Sequence, residues 1–139
     1  MNETQKRQIV LDVARRNWGK FYTWGGDDPS SFDCSGLVIE CLKSVGVLAR
    51  GGDWTAAQLW KMFSENQVVI PDSGDLVFWE NSNHKVVHVE IVLNRELSLG
   101  ASGGGSFVRT VDDAIKYNAF VKIRPITSRA GVRGYVNPY

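Results

Sequence analysis

Residues 34–45 read Cys34-Ser35-Gly36-Leu37-Val38-Ile39-Glu40-Cys41-Leu42-Lys43-Ser44-Val45 and set Leu37, Val38, Cys41, Leu42 and Val45 on one stripe. That spacing predicts a helix with one buried face, and Gly46 closes it. Upstream, residues 4–17 gather Ile9, Val10, Val13 and Ala14 among Lys, Arg, Gln and Asp, so an earlier helix is expected, ended by Trp18-Gly19. Between the two helices, residues 21–33 form a loop rich in Gly, Asp, Pro and Ser; loops of that length in compact domains are often functional. A third helix is expected over 56–65, with Thr55 as its N-cap. From Val68 onward the period changes to two or to short apolar runs. Strands are predicted over 75–79, 86–93, 97–101, 107–110 and 120–124, with a helical turn or two over 112–117. Helices first and strands after predict an α+β fold, N-terminal helices packed on a mostly antiparallel sheet of about five or six strands.

The 139 residues fit one domain, 1–139, with 126–139 expected as a polar C-terminal tail. Hydrophobic residues at 43% and charged residues at 22% exclude a disordered chain, a collagen-like fibre and a disulfide-framed miniprotein. Sixteen basic against 15 acidic residues leave a net charge of +1, so no overall field calls for nucleic acid or an anionic membrane. No apolar run approaches the roughly 20 residues of a membrane span. The start, Met1-Asn2-Glu3-Thr4-Gln5-Lys6-Arg7, lacks the apolar core of a signal peptide.

Two cysteines and two histidines hold most of the candidate chemistry. Cys34 and Cys41 are separated by about 10.5 Å of helix rise, beyond the ~7 Å that a disulfide tolerates between Cα atoms. They also make a poor zinc site without further ligands. Cys41 lies mid-helix on the apolar stripe and reads as core. Cys34 occupies the first turn, where the helix dipole favours a thiolate and hence a nucleophile; a small residue packing a helix start is the competing reading. His84 falls in the polar turn 81–85, whereas His88 interrupts the apolar run 86–93. Glu90, two residues on, projects from the same strand face as His88. The two form either a base with its orienter or an ion pair at a sheet edge. The glycine-rich stretch 100–105 lacks the Gly-Lys-Ser/Thr ending of a phosphate loop and reads as a flexible hairpin connection.

Four blocks occur in order: Tyr22-Thr23-Trp24-Gly25-Gly26, Phe32-Asp33-Cys34-Ser35-Gly36-Leu37-Val38, Gly74-Asp75-Leu76-Val77-Phe78-Trp79 and His88-Val89-Glu90-Ile91-Val92-Leu93. Together they resemble the NlpC family, papain-like cysteine peptidases of bacterial cell walls, over about residues 5–125. The resemblance implies a helix bearing the nucleophile Cys34 packed against a sheet bearing the general base His88. It implies a positioning or oxyanion role for the Tyr22 hydroxyl and amine recognition by Asp33 and Ser35. Trp24 is the expected groove aromatic. The implied substrate is a peptidoglycan stem peptide, cut at the amide between γ-D-glutamyl and a diamino acid through a thioester. Amidase action elsewhere on the wall, or a non-catalytic wall-peptide-binding module, are the alternatives. No metal, cofactor, nucleic acid or membrane insertion is implied, and a monomer is expected. Without a leader in this sequence, synthesis in the cytoplasm is expected, with delivery to the wall by phage lysis, in a virion or as a secreted effector.

One departure stands out. The family's third polar residue, commonly His before an Ala-Ser pair, falls here on Gly100, before Ala101-Ser102, while Glu90 replaces the usual glycine after His-Val. The expectation is an exchange in which Glu90 reaches the His88 ring through space left by Gly100. Ser102 or a backbone carbonyl are the fallback orienters, and binding of a substrate amine is a second role open to Glu90.

Overall fold

The computed structural model describes residues 1–23, 27–28, 31–103 and 107–139. Helix α1, Glu3–Arg16, starts in a capping box between Asn2 and Gln5 and buries Val10, Leu11 and Ala14. A short antiparallel pair, β1 (Asp27–Asp28) and β2 (Ser31–Phe32), leads into α2, Cys34–Ser44. Asp33 caps α2 through Oδ1, which accepts the Gly36 N–H at 2.6 Å. Helix α3, Ala56–Phe63, opens on a second capping box, from Thr55 to Gln58. The three helix stripes meet in one core with Leu37, Leu42 and Leu59 fully buried.

The remaining strands are β3 (Gln67–Val68), β4 (Leu76–Glu80), β5 (Val86–Val92), β6 (Leu97–Ser102), β7 (Phe120–Pro125) and β8 (Val132–Val136), with helix α4 (Val111–Lys116) between β6 and β7. They form a six-stranded sheet in the order β3-β8-β4-β5-β6-β7, every neighbouring pair antiparallel. Helices on an antiparallel sheet are the architecture expected from the sequence. Side chains alternate across a strand, and here both faces are covered. Leu76, Phe78, Val89, Ile91 and Leu99 face the helix core, whereas Val77, Trp79 and Val92 pack with Ile126 in a second cluster. Glu90 lies opposite Val77 and His88 opposite Trp79, so both project from this second face.

Two expectations require correction. Residues 126–139 are not a polar tail: β8 inserts between β3 and β4, and Val136 is fully buried. Arg133 and Gly134 interrupt the apolar alternation that would have marked the strand. Gly134 serves close packing, since a Cβ there would stand 3.2 Å from the Trp60 ring, at φ +156°. Residues 107–110 are not a strand either. The Asp113 carboxylate accepts the N–H groups of Arg109 and Thr110, at 3.1 and 3.2 Å. Those donors therefore serve the start of α4 rather than a ladder, although Val108 still reaches the core.

The far end of the chain is tied to α1. Asn137 Nδ2 donates to Glu3 Oε1 at 3.0 Å, the Tyr139 hydroxyl donates to Gly74 O at 2.7 Å, and the Arg7 guanidinium lies 4.9 Å from the Tyr139 ring centroid. Arg7 also pairs with the buried Asp75 at 2.8 Å. An internal β8 has a measurable consequence: Val136→Ala is expected to destabilise the protein by about 2 kcal/mol. Urea unfolding checks it; an unchanged midpoint would return the segment to the status of a tail.

Candidate active site

The site is assembled where the start of α2 meets β5 and β6. A cleft of about 230 Å³ is lined by Tyr22, Asp33, Cys34 and Ser35 on one side and by His88 and Ser102 on the other. Thr55 and Arg129 complete its polar wall. Cys34 is the first residue of α2, placed there by the Asp33 cap, and is partly exposed, while Cys41 is buried in the core. Burial and the neighbouring Glu40 push the Cys41 thiol up to about 12, which leaves it inert at neutral pH.

His88 is held from three sides. Its Nε2 contacts Glu90 Oε2 at 2.5 Å, and its ring lies 5.2 Å from that of Trp79, tilted by 53°. Cys34 lines the same cleft, and its sulfur favours a charge on the imidazole. With Nε2 engaged by Glu90, Nδ1 is the nitrogen left for the sulfur. Burial opposes a charge on the ring, but Cys34 and Glu90 outweigh it and raise His88 above its ordinary value.

Glu90 is completely buried and fully engaged. Oε1 accepts the Ser98 hydroxyl at 2.8 Å, and Oε2 takes Arg124 Nη2 at 3.2 Å as well as His88. Desolvation works to raise this carboxyl; the contacts with His88, Arg124 and Ser98 prevail and hold it below the usual carboxylate range. A buried carboxylate is tolerated only when so satisfied. The room for it comes from Gly100. A Cβ at that position would overlap Glu90 Cγ and stand 2.7 Å from its Cδ.

Six of the seven residues singled out from the sequence are thus brought into or directly beneath one cleft. Tyr22, Asp33, Cys34, Ser35 and His88 line it; Glu90 sits behind His88. Trp24 lies outside the described residues. Burial and the nearby Cys34 and Asp33 raise the Tyr22 phenol, which keeps it a hydrogen-bond donor. The Ser98 and Arg124 partners of Glu90, and Arg129 in the cleft wall, were missed. Ser98 and Arg124 are paired across β6 and β7, so only the sheet register could have disclosed the first two. Among the described residues no group of His, Cys, Asp and Glu side chains has the makings of a metal site.

Comparison with known proteins identifies the family. Residues 19–125 match the NlpC/P60 family. The chain belongs to that family. It is 33% identical over 102 residues to the probable endopeptidase p60 of Listeria grayi, a match covering 73% of this chain and 17% of that protein. It is 28% identical over 115 residues to the probable peptidoglycan endopeptidase LytE of Bacillus subtilis, covering 81% and 29% respectively. The chain therefore spans under a third of these NlpC/P60 relatives. Among solved structures it is similar to the NlpC/p60 domain of the peptidoglycan hydrolase SagA, with TM-score 0.67, 26% identity, and coverage of 94% of this chain and 97% of that one. It is also similar to the peptidoglycan hydrolase RipB of Mycobacterium tuberculosis, with TM-score 0.71, 26% identity, and coverage of 98% and 65%.

The charge state of the His88–Glu90 pair gives a direct test. With His88 raised and Glu90 lowered, the stability from the pair is complete between the ordinary carboxyl value of 4.5 and the ordinary imidazole value of 6.5. It is lost as pH rises through the raised His88 value and as pH falls through the lowered Glu90 value. Glu90→Gln removes one cause of the raised value, so His88 is expected to titrate at lower pH. Imidazole NMR of a protein with two histidines reads this; an unmoved His88 would remove Glu90 as the cause.

Proposed function

We propose that the domain is a cysteine peptidase that hydrolyses peptidoglycan stem peptides at the amide between γ-D-glutamyl and a diamino acid. The observation that carries the reading is a buried, carboxylate-backed imidazole sharing one cleft with a thiol at a helix N-terminus. Family membership and the names of the relatives support the substrate class.

In this reading the Cys34 thiolate attacks the scissile carbonyl, and the oxyanion is met by N–H groups at the start of α2 and by the Tyr22 hydroxyl. The imidazolium of His88, favoured by the Cys34 thiolate and by Glu90, protonates the leaving amine to leave a thioester. Water then adds with His88 as base, and the acid product departs as the thiolate is restored. Asp33 and Ser35, side by side at the cap, receive the free amine of the substrate. Glu90 is a positioning residue: it acts through the ring of His88, in the place the family usually gives to a residue on β6.

Digestion of purified walls followed by mass spectrometry tests the whole reading. Fragments ending in γ-D-glutamate are expected from the wild type and not from Cys34→Ala; intact muropeptides from several wall types would overturn it. The exchange between Glu90 and Gly100 has its own test. Gly100→Ala displaces the carboxylate and is expected to lower kcat by roughly 10²-fold or more, whereas Glu90→Gly with Gly100→His, which moves the orienter to β6, should recover part of the loss. A double variant no better than Gly100→Ala would deny the exchange.

A further inference from the structure

Arg129 follows the turn Ile126–Ser128 and lies outside the stretch that matches the family. Its position is nevertheless fixed to the catalytic histidine. The Trp79 indole Nε1 donates to Arg129 O at 3.2 Å, and the same indole ring lies 5.2 Å from the imidazole of His88. Ile126, buried in the second cluster, anchors the turn from the other end through its N–H on Glu96 O at 2.8 Å. The guanidinium lines the cleft with Cys34 and His88.

Among the described residues the Arg129 side chain has no hydrogen bond and no ion pair. Glu90 does not serve, because its oxygens are committed to Ser98, His88 and Arg124. Burial and the charge of Arg124 both act against the Arg129 cation, with only partial relief from Glu90, Cys34 and Tyr22. A half-buried guanidinium so placed gains from an incoming anion, and its planar fork suits a carboxylate. A second observation points to the same ligand. The Ser102 hydroxyl, on β6 in the lining of the same cleft, is buried without a hydrogen-bond partner among the described residues. Such a group is normally satisfied, and a carboxylate oxygen would accept its proton.

We infer that Arg129, assisted by Ser102, receives a carboxylate of the substrate next to the scissile bond and so selects among stem peptides. The inference rests on the γ-glutamyl reading above. In that substrate the anion is the free α-carboxylate of the D-glutamyl residue, on the acyl side of the amide to be cut. The cleft then recognises both charges of an aminoacyl-γ-glutamyl unit, its amine at Asp33 and its carboxylate at Arg129. Stem peptides in which that carboxylate is amidated to D-isoglutamine offer neutral oxygen and nitrogen instead and leave the guanidinium uncompensated.

Two synthetic peptides decide the matter, L-Ala-γ-D-Glu-L-Lys-D-Ala and the same peptide with D-isoglutamine. For the wild type kcat/KM is expected to favour the acid by about tenfold or more. Arg129→Gln should bring that ratio towards unity, chiefly through KM for the acid, and Arg129→Lys should keep an intermediate ratio. Ser102→Ala should lower the ratio by a smaller factor. Melting curves of each variant confirm folding, and the lysine variant carries the test should glutamine prevent it. A wild type that shows no preference, or a preference that survives Arg129→Gln, overturns this inference and leaves the peptidase reading standing. Cleavage of neither peptide by the wild type overturns both.

Discussion

The contact on which the site depends is the one between Glu90 and His88. A carboxylate with no exposed surface must recover the hydration it gives up. Ser98 and Arg124 supply that compensation from the next two strands, so the side chain is tied into β5, β6 and β7 at once. All of this requires the absence of a single methyl-sized group at Gly100. The constraint is mutual, since an alanine at that position and a glutamate at position 90 compete for one volume. It also fixes the pairing of β5 with β6, because a slip of one residue would turn Glu90 to the opposite face.

The two faces of the sheet divide the work. One closes the main core with the helices, and the other carries the second cluster together with His88 and Glu90. Trp79 links that cluster to the site, with its ring beside His88 and its N–H on the backbone of Arg129. Packing and chemistry are thus not separable here. The cluster that buries Ile126 also sets where the segment after β7 runs, and so which charge enters the cleft.

Much of this was legible in the sequence where local rules were enough. The apolar stripes and the caps at Asp33 and Thr55 marked α2 and α3. Alternation alone puts His88 and Glu90 on one face, and the glycine at 100 marks where space is found. What stayed hidden depends on strand neighbours far apart in the chain. Ser98 and Arg124 reach Glu90 only because β6 and β7 follow β5 in the sheet. Arg129 reaches the cleft through an indole fifty positions earlier, in a stretch whose polarity read as a tail. β8 was obscured by Arg133 and Gly134. The run 107–110 misled in the opposite sense, because Val108 is buried without being in a strand.

The ties among Glu3, Asn137, Arg7 and Tyr139 bring the first helix and the last residues together. The two ends of this fold can therefore be joined by a short peptide, and the chain reopened in an exposed turn such as 94–96, as a circular permutant with its sheet order preserved. The same proximity means that neighbouring domains attached at either end would depart from one place on the surface, like two cords from a single knot.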